Sequence, residues 1–384
     1  KPETKPDRLR IGYFSADFKI HAVMFNLIGT LEWHNPELFE IYAYSFGPEC
    51  NDEMRQRTVK AVDVFVDVKD MGDRDIALRA RQDKIDIAID LSGYTKNSRT
   101  GIFAYRAAPV QINYLGYPST MGADFIDYFV ADQTAVPVEN QRFFSEKLIY
   151  MPHMLPFDTS IPVSEVTPSR AELDLPEEGF VFCAINNTYK LRPSEFDIWM
   201  RLLKRIEGSV LWLLEANKWC KANLIKEAEA RGIKADRLVF QPLMVTDSAS
   251  QSKYLAQFRQ ADLYLDTFIY GAGSTANNAL WAGLPVQTKI GHGYTTRMAA
   301  GYLQSLELPE LITTTDEAYE ELAVELSTNP KRIAALKQKL ADKLISTRAC
   351  DTKLLTRDLE EGYQQAYQRY FEGKDPDVIF ASSE

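Results

Sequence analysis

Short apolar runs alternate with stretches of helical periodicity along most of the chain. In the first half, the apolar runs predict strands at residues 10–15, 39–44, 62–67, 85–91, 110–115, 128–130 and 147–150. Helical stretches, such as residues 77–82, lie between several of these runs. Because short strands that alternate with helices are typical of a parallel, doubly wound sheet, the pattern predicts an α/β fold.

The second half repeats this scheme after an interruption at residues 155–178. That segment contains four prolines among polar residues, which predicts a linker; a long surface loop within one domain is the alternative. Strands are then expected at residues 180–185, 210–214 and 237–240 and around Leu263 and Leu265, with helices at 193–205, 222–231 and 254–260 and a mainly helical region at 316–373. We therefore expect two facing α/β domains, with the ligand at the carboxyl ends of the strands in the cleft between them.

Composition and charge narrow the class of partner. The chain has 384 residues and a formal net charge of −10, which argues against nucleic acid or an anionic membrane surface as the main partner. No apolar run approaches the roughly 18 residues that span a bilayer. Four scattered cysteines and four scattered histidines predict reduced thiols, a cytoplasmic protein and no metal site. Because the chain begins with Lys1, we expect a fragment or a processed product, and a targeting segment could be missing.

The most informative segment follows the strand around Leu263 and Leu265. Residues 271–275 read Gly-Ala-Gly-Ser-Thr and carry almost no side-chain bulk before a predicted helix begins. Backbone amides there can approach a ligand closely, and the positive end of the helix dipole favours an anion. The segment therefore predicts a diphosphate site without a Walker lysine. An ordinary strand-to-helix turn, which also favours Gly and Ser, is the alternative.

Other polar residues follow predicted strands and are candidates for the same cleft. Lys190 could neutralise a diphosphate, or it could be a solvated surface lysine. His21 could donate to a phosphate or a sugar hydroxyl, or it could be a structural histidine. Asp90 could act as a general base or hydroxyl acceptor, or it could cap a turn. The Gly- and Pro-containing loop 115–122 is placed to line the cleft. No GxGxxG, GxxxxGKS or GxSxG motif is present, which argues against dinucleotide, P-loop and serine-hydrolase chemistry.

Taken together, these segments resemble the catalytic region of the protein O-linked N-acetylglucosamine transferases, with their bacterial and plant (SPINDLY-type) relatives. The resemblance runs from Leu9 to about Pro376, and we expect a bacterial member. Its markers are LRIGY at 9–13, GYTK at 93–96, RAAPVQ at 106–111, LGYP at 115–118, NNTYK at 186–190, SVLWLL at 209–214, LDT at 265–267 and LWAGLP at 280–285.

The resemblance implies a GT-B glycosyltransferase with domains at residues 1–155 and 179–350, a linker at 156–178, and a segment 351–384 that packs back on the first domain. It implies inverting transfer from a nucleotide sugar to a protein hydroxyl, with no metal and no cofactor. Lys190 would stabilise the leaving diphosphate, and His21 would lie near the donor. An N-terminal tetratricopeptide array, which recruits acceptors in most members, is expected outside this chain.

The expected site residues fall into three groups. The catalytic candidates are Lys190, His21 and Asp90. The nucleotide-binding candidates are Asn187, Tyr189, Gln241, Met244, Tyr254, Asp266, Gly273, Ser274, Thr275 and Asn278. The acceptor-side candidates are Tyr94, Gly116, Tyr117 and Pro118.

Two positions depart from the family pattern. Gly273 stands where many members have a phosphate-contacting histidine, and Asn278 stands where many have an aspartate that binds the ribose hydroxyls. UDP-N-acetylglucosamine is the donor that the family implies, and a GDP-fucose or CMP-nonulosonate type of donor, used on bacterial surface or flagellar proteins, is an alternative. A nucleotide-sugar epimerase and a degenerate binding module without turnover are two rival interpretations of the whole chain.

Overall fold

The chain forms two compact units. The computed structural model describes residues 4–154, 159–242 and 245–382. Unit 1 comprises Lys1–Ser160 and Asp351–Glu384, and unit 2 comprises Ile161–Cys350. Each unit is built on one sheet in which every described strand pair is parallel. The predicted α/β class is therefore confirmed.

Unit 1 alternates strands and helices up to its fifth strand, as the apolar pattern predicts, and two further strands follow. Its elements are β1 Leu9–Ser15, α1 Ala22–Trp33, β2 Phe39–Ser45, α2 Glu53–Ala61, β3 Val64–Asp67, α3 Asp73–Gln82, β4 Ile87–Asp90, α4 Gly101–Ala104, β5 Val110–Asn113, β6 Tyr128–Ala131 and β7 Lys147–Tyr150. Since both faces of a parallel sheet are covered, these strands are near-continuous apolar runs rather than alternating ones.

Unit 2 repeats the pattern and adds further helices at its end. Its elements are β8 Val181–Ala184, α5 Pro193–Arg205, β9 Val210–Leu214, α6 Lys218–Ala230, β10 Leu238–Gln241, α7 Ser248–Gln257, β11 Leu263–Leu265, α8 Ser274–Trp281, β12 Val286–Lys289, α9 Met298–Ser305, β13 Ile312–Thr313, α10 Asp316–Thr328 and α11 Pro330–Ser346. The strand order is β10-β9-β8-β11-β12-β13. The helix α8 ends at Trp281, Gly283 follows its cap with a φ of +86° that suits glycine, and Pro285 then leads into β12.

The chain returns to unit 1 through α12 Thr352–Glu372 and β14 Ile379–Phe380. The strand order of this sheet is β14-β7-β6-β5-β4-β1-β2-β3. The buried carboxylate of Glu360 on α12 contacts Nδ1 of His34 at 3.0 Å and accepts the amide of Asn35 at 2.6 Å. The hydroxyl of Tyr13 on β1 lies 2.8 Å from Nε2 of the same imidazole. These contacts fix α12 against β1 and the end of α1.

The opposite face of the unit 1 sheet carries an apolar core that supports the loops at its carboxyl edge. Phe14 stacks on Tyr44 with ring centroids 4.5 Å apart and meets Phe103 of α4 edge to face. Ala88 of β4 belongs to the same cluster, and so does Met121, which lies in the loop after β5. The residues that follow β4 and β5 therefore leave the sheet from a rigid base.

Candidate active site

The loop that follows β11 is organised by one buried carboxylate. Asp266 is 2% exposed, and its Oδ1 accepts the amides of Thr267 at 2.8 Å and Ala272 at 2.7 Å. Its Oδ2 accepts the hydroxyl of Thr288 on β12 at 2.8 Å. Burial raises the pKa of Asp266 to about 6, and the Ala272 amide is the largest of the hydrogen bonds that oppose this rise. The carboxylate thus closes the loop 266–272 on itself.

The side chain of Lys190 places its positive charge against this loop. Lys190 ends the short 3₁₀ turn Thr188–Lys190 after β8. Its Nζ donates to the carbonyl of Gly271 at 3.1 Å and lies 4.3 Å from the centroid of the Tyr270 ring. Burial lowers the pKa of Lys190 to about 8, and the nearby charge of Asp266 opposes this shift. The ammonium is therefore held against the loop with its charge only partly offset, which suits an anionic ligand.

The helix α8 begins directly after this loop. Gly273 is its N-cap, and Ser274 and Thr275 form its first turn, where backbone amides have no partners within the helix. A Cβ at Gly271 would lie 2.8 Å from the carbonyl oxygen of Thr295, so no side chain fits there. A Cβ at Gly273 would lie 3.5 Å from Cε of Met298, which is ordinary contact. The loop thus needs glycine at 271 for its path, whereas position 273 has room for a side chain.

Two side chains that are not among the expected site residues hold the loops after β8 and β11 together. Asn186 donates from Nδ2 to Oγ1 of Thr267 at 3.1 Å. The fully buried carboxylate of Glu195 on α5 accepts the amide of Phe268 at 2.8 Å. The neighbouring candidates Asn187 and Tyr189 lie in the same segment as Lys190, and the Tyr189 ring meets Tyr270 edge to face at 6.3 Å.

The candidates for contact with the base line a cavity of about 350 Å³ in unit 2. Gln241, which ends β10, and Tyr254 of α7 both contribute to its wall. The other lining residues are Val166, Thr167, Pro168, Glu172, Pro242, Ser250, Lys253 and Gln257. Met244 lies outside the described residues. Asn278 is half-buried on α8, one turn beyond Ser274 and on the same side of the helix.

His21 of unit 1 caps the helix α1. Its Nδ1 accepts the amide of Val23 at 3.3 Å, and Oδ2 of Asp17 lies 3.7 Å from the same nitrogen. Burial lowers the pKa of His21, while Asp17 acts in the opposite direction. Because Nδ1 accepts a hydrogen bond, the neutral ring carries its proton on Nε2. The outward nitrogen is therefore a hydrogen-bond donor.

The acceptor-side candidates of unit 1 lie in two loops that touch each other. Tyr94 is 52% exposed, its hydroxyl donates to the carbonyl of Met121 at 2.9 Å, and its ring meets Tyr117 edge to face at 5.5 Å. A Cβ at Gly116 would lie 1.8 Å from the carbonyl oxygen of Leu91, so the two backbones approach as only glycine allows. Pro118 follows in the second loop and is half-buried. The structure brings these four candidates together.

Asp90, at the end of β4, is placed differently from the other catalytic candidates. It is 1% exposed, and its Oδ1 accepts the amides of Ser92 at 2.8 Å and Gly93 at 3.0 Å. Burial raises the pKa of Asp90 to about 6. This geometry is the one expected if Asp90 caps a turn. The carboxylate is also closed off from solvent. Direct proton removal by Asp90 remains a prediction.

Within residues 4–154, 159–242 and 245–382, no cluster of three or more His, Cys, Asp or Glu side chains could hold a metal ion. In the same part of the chain, no helix is both long and apolar enough to cross a membrane. The thiols of Cys50, Cys183, Cys220 and Cys350 are free.

Two parallel-sheet units, each with its loops at the carboxyl edge, define the GT-B class of fold. The model of Glycosyl transferase family 41 matches residues 1–158 and 156–359. The chain belongs to this family.

Two curated relatives and one solved structure show the extent of the similarity. The probable UDP-N-acetylglucosamine–peptide N-acetylglucosaminyltransferase SEC of Arabidopsis thaliana is 34% identical over 96% of this chain and 38% of its own length. The UDP-N-acetylglucosamine–peptide N-acetylglucosaminyltransferase of Caenorhabditis elegans is 26% identical over 98% of this chain and 42% of its own length. A mutant O-GlcNAc transferase of Thermobaculum terrenum superposes with a TM-score of 0.86 at 29% identity, over 95% of this chain and 69% of that one.

The chain spans about two fifths of the length of the curated relatives, at 38% and 42%. A solved UDP-N-acetylglucosamine 2-epimerase also superposes, with a TM-score of 0.50 at 13% identity over 97% of this chain and 99% of that one. That similarity shows a shared fold alone.

Proposed function

We propose that this chain transfers N-acetylglucosamine from UDP-N-acetylglucosamine to serine or threonine hydroxyls of a protein. Membership of family 41 and the activity for which the two curated relatives are named support the proposal. The observation that carries it is the arrangement of Lys190 against the loop 266–272, directly before the helix α8. A partly buried ammonium and a helix N-terminus together suit a diphosphate leaving group.

In the proposed reaction the acceptor oxygen bonds to the anomeric carbon while the bond from that carbon to the diphosphate breaks. One displacement of this kind inverts the anomeric configuration. Negative charge grows on the diphosphate as the bond breaks, so Lys190 and the first amides of α8 stabilise the transition state more than the ground state. Asp266 acts through the loop, since both of its oxygens accept hydrogen bonds from the protein.

His21 has a donor role in this scheme. The proton on Nε2 can bond to a phosphate or sugar oxygen, and Nδ1 is already used by the Val23 amide. The lowered pKa keeps the ring neutral at physiological pH, so it donates a hydrogen bond rather than a charge. We assign proton removal from the acceptor to a group other than His21.

The nucleotide base is proposed to occupy the cavity lined by Gln241 and Tyr254. Its volume of about 350 Å³ falls within the range of small-molecule sites, roughly 300–1,000 Å³. Tyr254 offers a ring face for stacking, and Gln241 offers both an amide donor and an acceptor. Met244 and Asn278 remain predicted contacts to the base and the ribose.

A second candidate keeps the chemistry and changes the donor. Gly273 and Asn278 replace the histidine and aspartate that the family resemblance leads one to expect, and this observation favours a nucleotide sugar other than UDP-N-acetylglucosamine. A thermal-shift panel of UDP-, GDP-, CMP- and dTDP-sugars separates the two candidates. A donor at about 100 times its dissociation constant stabilises the protein by roughly 2.7 kcal/mol. A UDP-sugar shift alone supports the first candidate, and a shift with another nucleotide alone supports the second.

We further propose a cytoplasmic protein whose acceptors are recruited by a tetratricopeptide array. The four free thiols support a reducing compartment. The relatives are more than twice as long as the stretch they share with this chain, which leaves room for such an array in the full protein. Co-purification of acceptors with the full protein but not with residues 1–384 would support this arrangement, and equal recovery would contradict it.

A further inference from the structure

A buried polar cluster lies at the carboxyl ends of β4 and β5 in unit 1. Asp90 and Asn113 are direct partners in the register of these two parallel strands, and both are essentially unexposed. Ser92, in the loop that leaves β4, is buried as well. Phe14 of β1 pairs with Asp90 on the other side. The side chains of Asp90 and Asn113 therefore lie side by side on one face of the sheet, and Ser92 follows in the turn that Asp90 caps.

Four side-chain atoms of this cluster have no hydrogen-bond partner among the described residues. They are Oδ2 of Asp90, Oγ of Ser92, and both Oδ1 and Nδ2 of Asn113. Asn113 lies close enough to Asp90 to lower the pKa of that carboxyl, but without an aligned hydrogen bond. A buried polar group left unpaired costs on the order of 1–3 kcal/mol, and buried water typically makes about three hydrogen bonds in such places. Donors and acceptors occur together here, which suits water better than a cation.

The cluster is joined to the acceptor-side loops through the other oxygen of Asp90. Oδ1 fixes the turn by accepting the amides of Ser92 and Gly93. Gly93 has a φ of +51°, and a Cβ there would lie 2.3 Å from Cβ of Tyr117. The path of the loop that carries Tyr94, and its contact with Tyr117, thus depend on how the Asp90 carboxylate is held.

We propose that Asp90, Ser92 and Asn113 enclose ordered water that completes the Asp90 turn, and that this hydrated cluster sets the acceptor-side loops and hence the affinity for the acceptor peptide. The three residues are positioning residues, because they act through the loops rather than on the sugar. The proposal rests on the proposed transferase function for its acceptor, whereas the water site itself does not.

The buried carboxyl of Asp90 should make the order of the acceptor-side loops depend on pH. Burial raises the pKa of Asp90 to about 6, and the groups that oppose the rise are the amides of Ser92 and Gly93 and the side chain of Asn113, all uncharged. On the β1 side the neighbour is the apolar Phe14. When pH falls below about 6 the carboxyl gains a proton and becomes a weaker acceptor for the two turn amides. The acceptor-side loops should therefore loosen on the acid side.

Steady-state kinetics with an acceptor peptide test the proposal. Ser92→Ala and Asn113→Leu should raise the KM for the acceptor about tenfold, which corresponds to the loss of roughly one hydrogen bond, and leave the Kd for UDP within twofold. Asp90→Asn should flatten the dependence of the acceptor KM on pH between 5 and 7. Gln111→Leu is the matched control, since Gln111 lies on the same strand face and its amide is fully used by Ala107, Phe103 and Phe125.

The outcomes separate the proposal from a merely structural role. A rise in acceptor KM for Ser92→Ala and Asn113→Leu, without one for Gln111→Leu, supports it. Equal KM values in all variants, with only Tm lowered, overturn it. If the protein transfers no sugar at all, a high-resolution crystal structure still decides the water site. Water within hydrogen-bond distance of Asp90 Oδ2 and Asn113 supports the proposed water site. A cluster without water, in which Asn113 donates a hydrogen bond directly to Asp90, overturns it.

Discussion

Replacing Lys190 by alanine removes the ammonium that the structure holds against the carbonyl of Gly271 in the loop 266–272. Nζ donates to the carbonyl of Gly271 at 3.1 Å and is partly buried, so its attraction for a diphosphate is less screened than at an open surface. A hydrogen bond between a charged pair contributes about 1.5–3 kcal/mol, and two unit charges 4 Å apart attract by about 4 kcal/mol at an effective dielectric constant of 20. The lower range alone predicts a loss of roughly 10- to 150-fold in UDP affinity.

Turnover should fall further, because the charge on the diphosphate grows as the glycosidic bond breaks. We expect Lys190→Ala to lower kcat by roughly 100-fold or more. Release of UDP measures turnover, and calorimetry measures UDP affinity. Lys234→Ala is the matched control, since Lys234 is an exposed lysine of the same unit. A Lys190→Ala enzyme within threefold of the wild type in both measurements, with the Lys234→Ala control unchanged, would remove Lys190 from the site.

The lowered pKa of Lys190 predicts that UDP binding weakens above about pH 8, because only the protonated ammonium attracts the diphosphate. Calorimetry between pH 7 and 10 should show Kd rising about tenfold per pH unit above that point, and a similar slope for Lys190→Ala would refute the assignment. Activity should survive EDTA, since Lys190 and α8 supply the positive charge; a loss that manganese or magnesium restores would indicate a metal-dependent transferase. If the second donor candidate holds, the wild type should use UDP-N-acetylglucosamine weakly, and Gly273→His with Asn278→Asp should tighten UDP binding. A Cβ at position 273 would make only ordinary contacts with Met298, and the carboxylate at 278 adds hydroxyl contacts of about 1.5–3 kcal/mol each. If calorimetry shows that the wild type already binds UDP tightly and the double mutant binds no better, these positions do not govern the donor.

The apolar pattern predicted the strands of four or more residues, with errors at their ends. The strand β4 spans Ile87–Asp90 rather than 85–91, and β5 ends at Asn113 rather than 115. The helix α6 begins four residues earlier than predicted, because Asn217 caps it by accepting the amide of Cys220. A capping box at Asp247 likewise starts α7 at Ser248. Side-chain caps of this kind carry a weaker signal than hydrophobic periodicity.

The two-residue strands could not be read from the sequence at all. Residues Ile312–Thr313 and Ile379–Phe380 are too short to show a period of two, and they form only because a sheet edge is available beside them. The helical pattern of Thr352–Glu372 is plain, but the contact of Glu360 with His34 joins residues more than 300 positions apart. Local sequence carries no information on such a contact.

The parts of the candidate site that depend on neighbouring residues in the chain could be predicted from the sequence. The small residues at 271–275 and Lys190 after β8 were both marked by their place behind an apolar run. Glu195 was missed because it resembles an ordinary acidic residue in the first turn of a helix, although it is fully buried and holds Phe268. The burial of Asp90 was equally hidden, since it depends on the loop after β5, which approaches closely at Gly116.

The most direct test of the transferase proposal is the product formed from UDP-N-acetylglucosamine and a serine- or threonine-containing peptide. The proposed transfer should yield a peptide that carries one N-acetylhexosamine on a hydroxyl, with inverted anomeric configuration by nuclear magnetic resonance and an equal amount of UDP released. Lys190→Ala should form this product at least about 100-fold more slowly. A free sugar or an epimerised nucleotide sugar with unmodified peptide would contradict the proposal, as would a retained anomeric configuration.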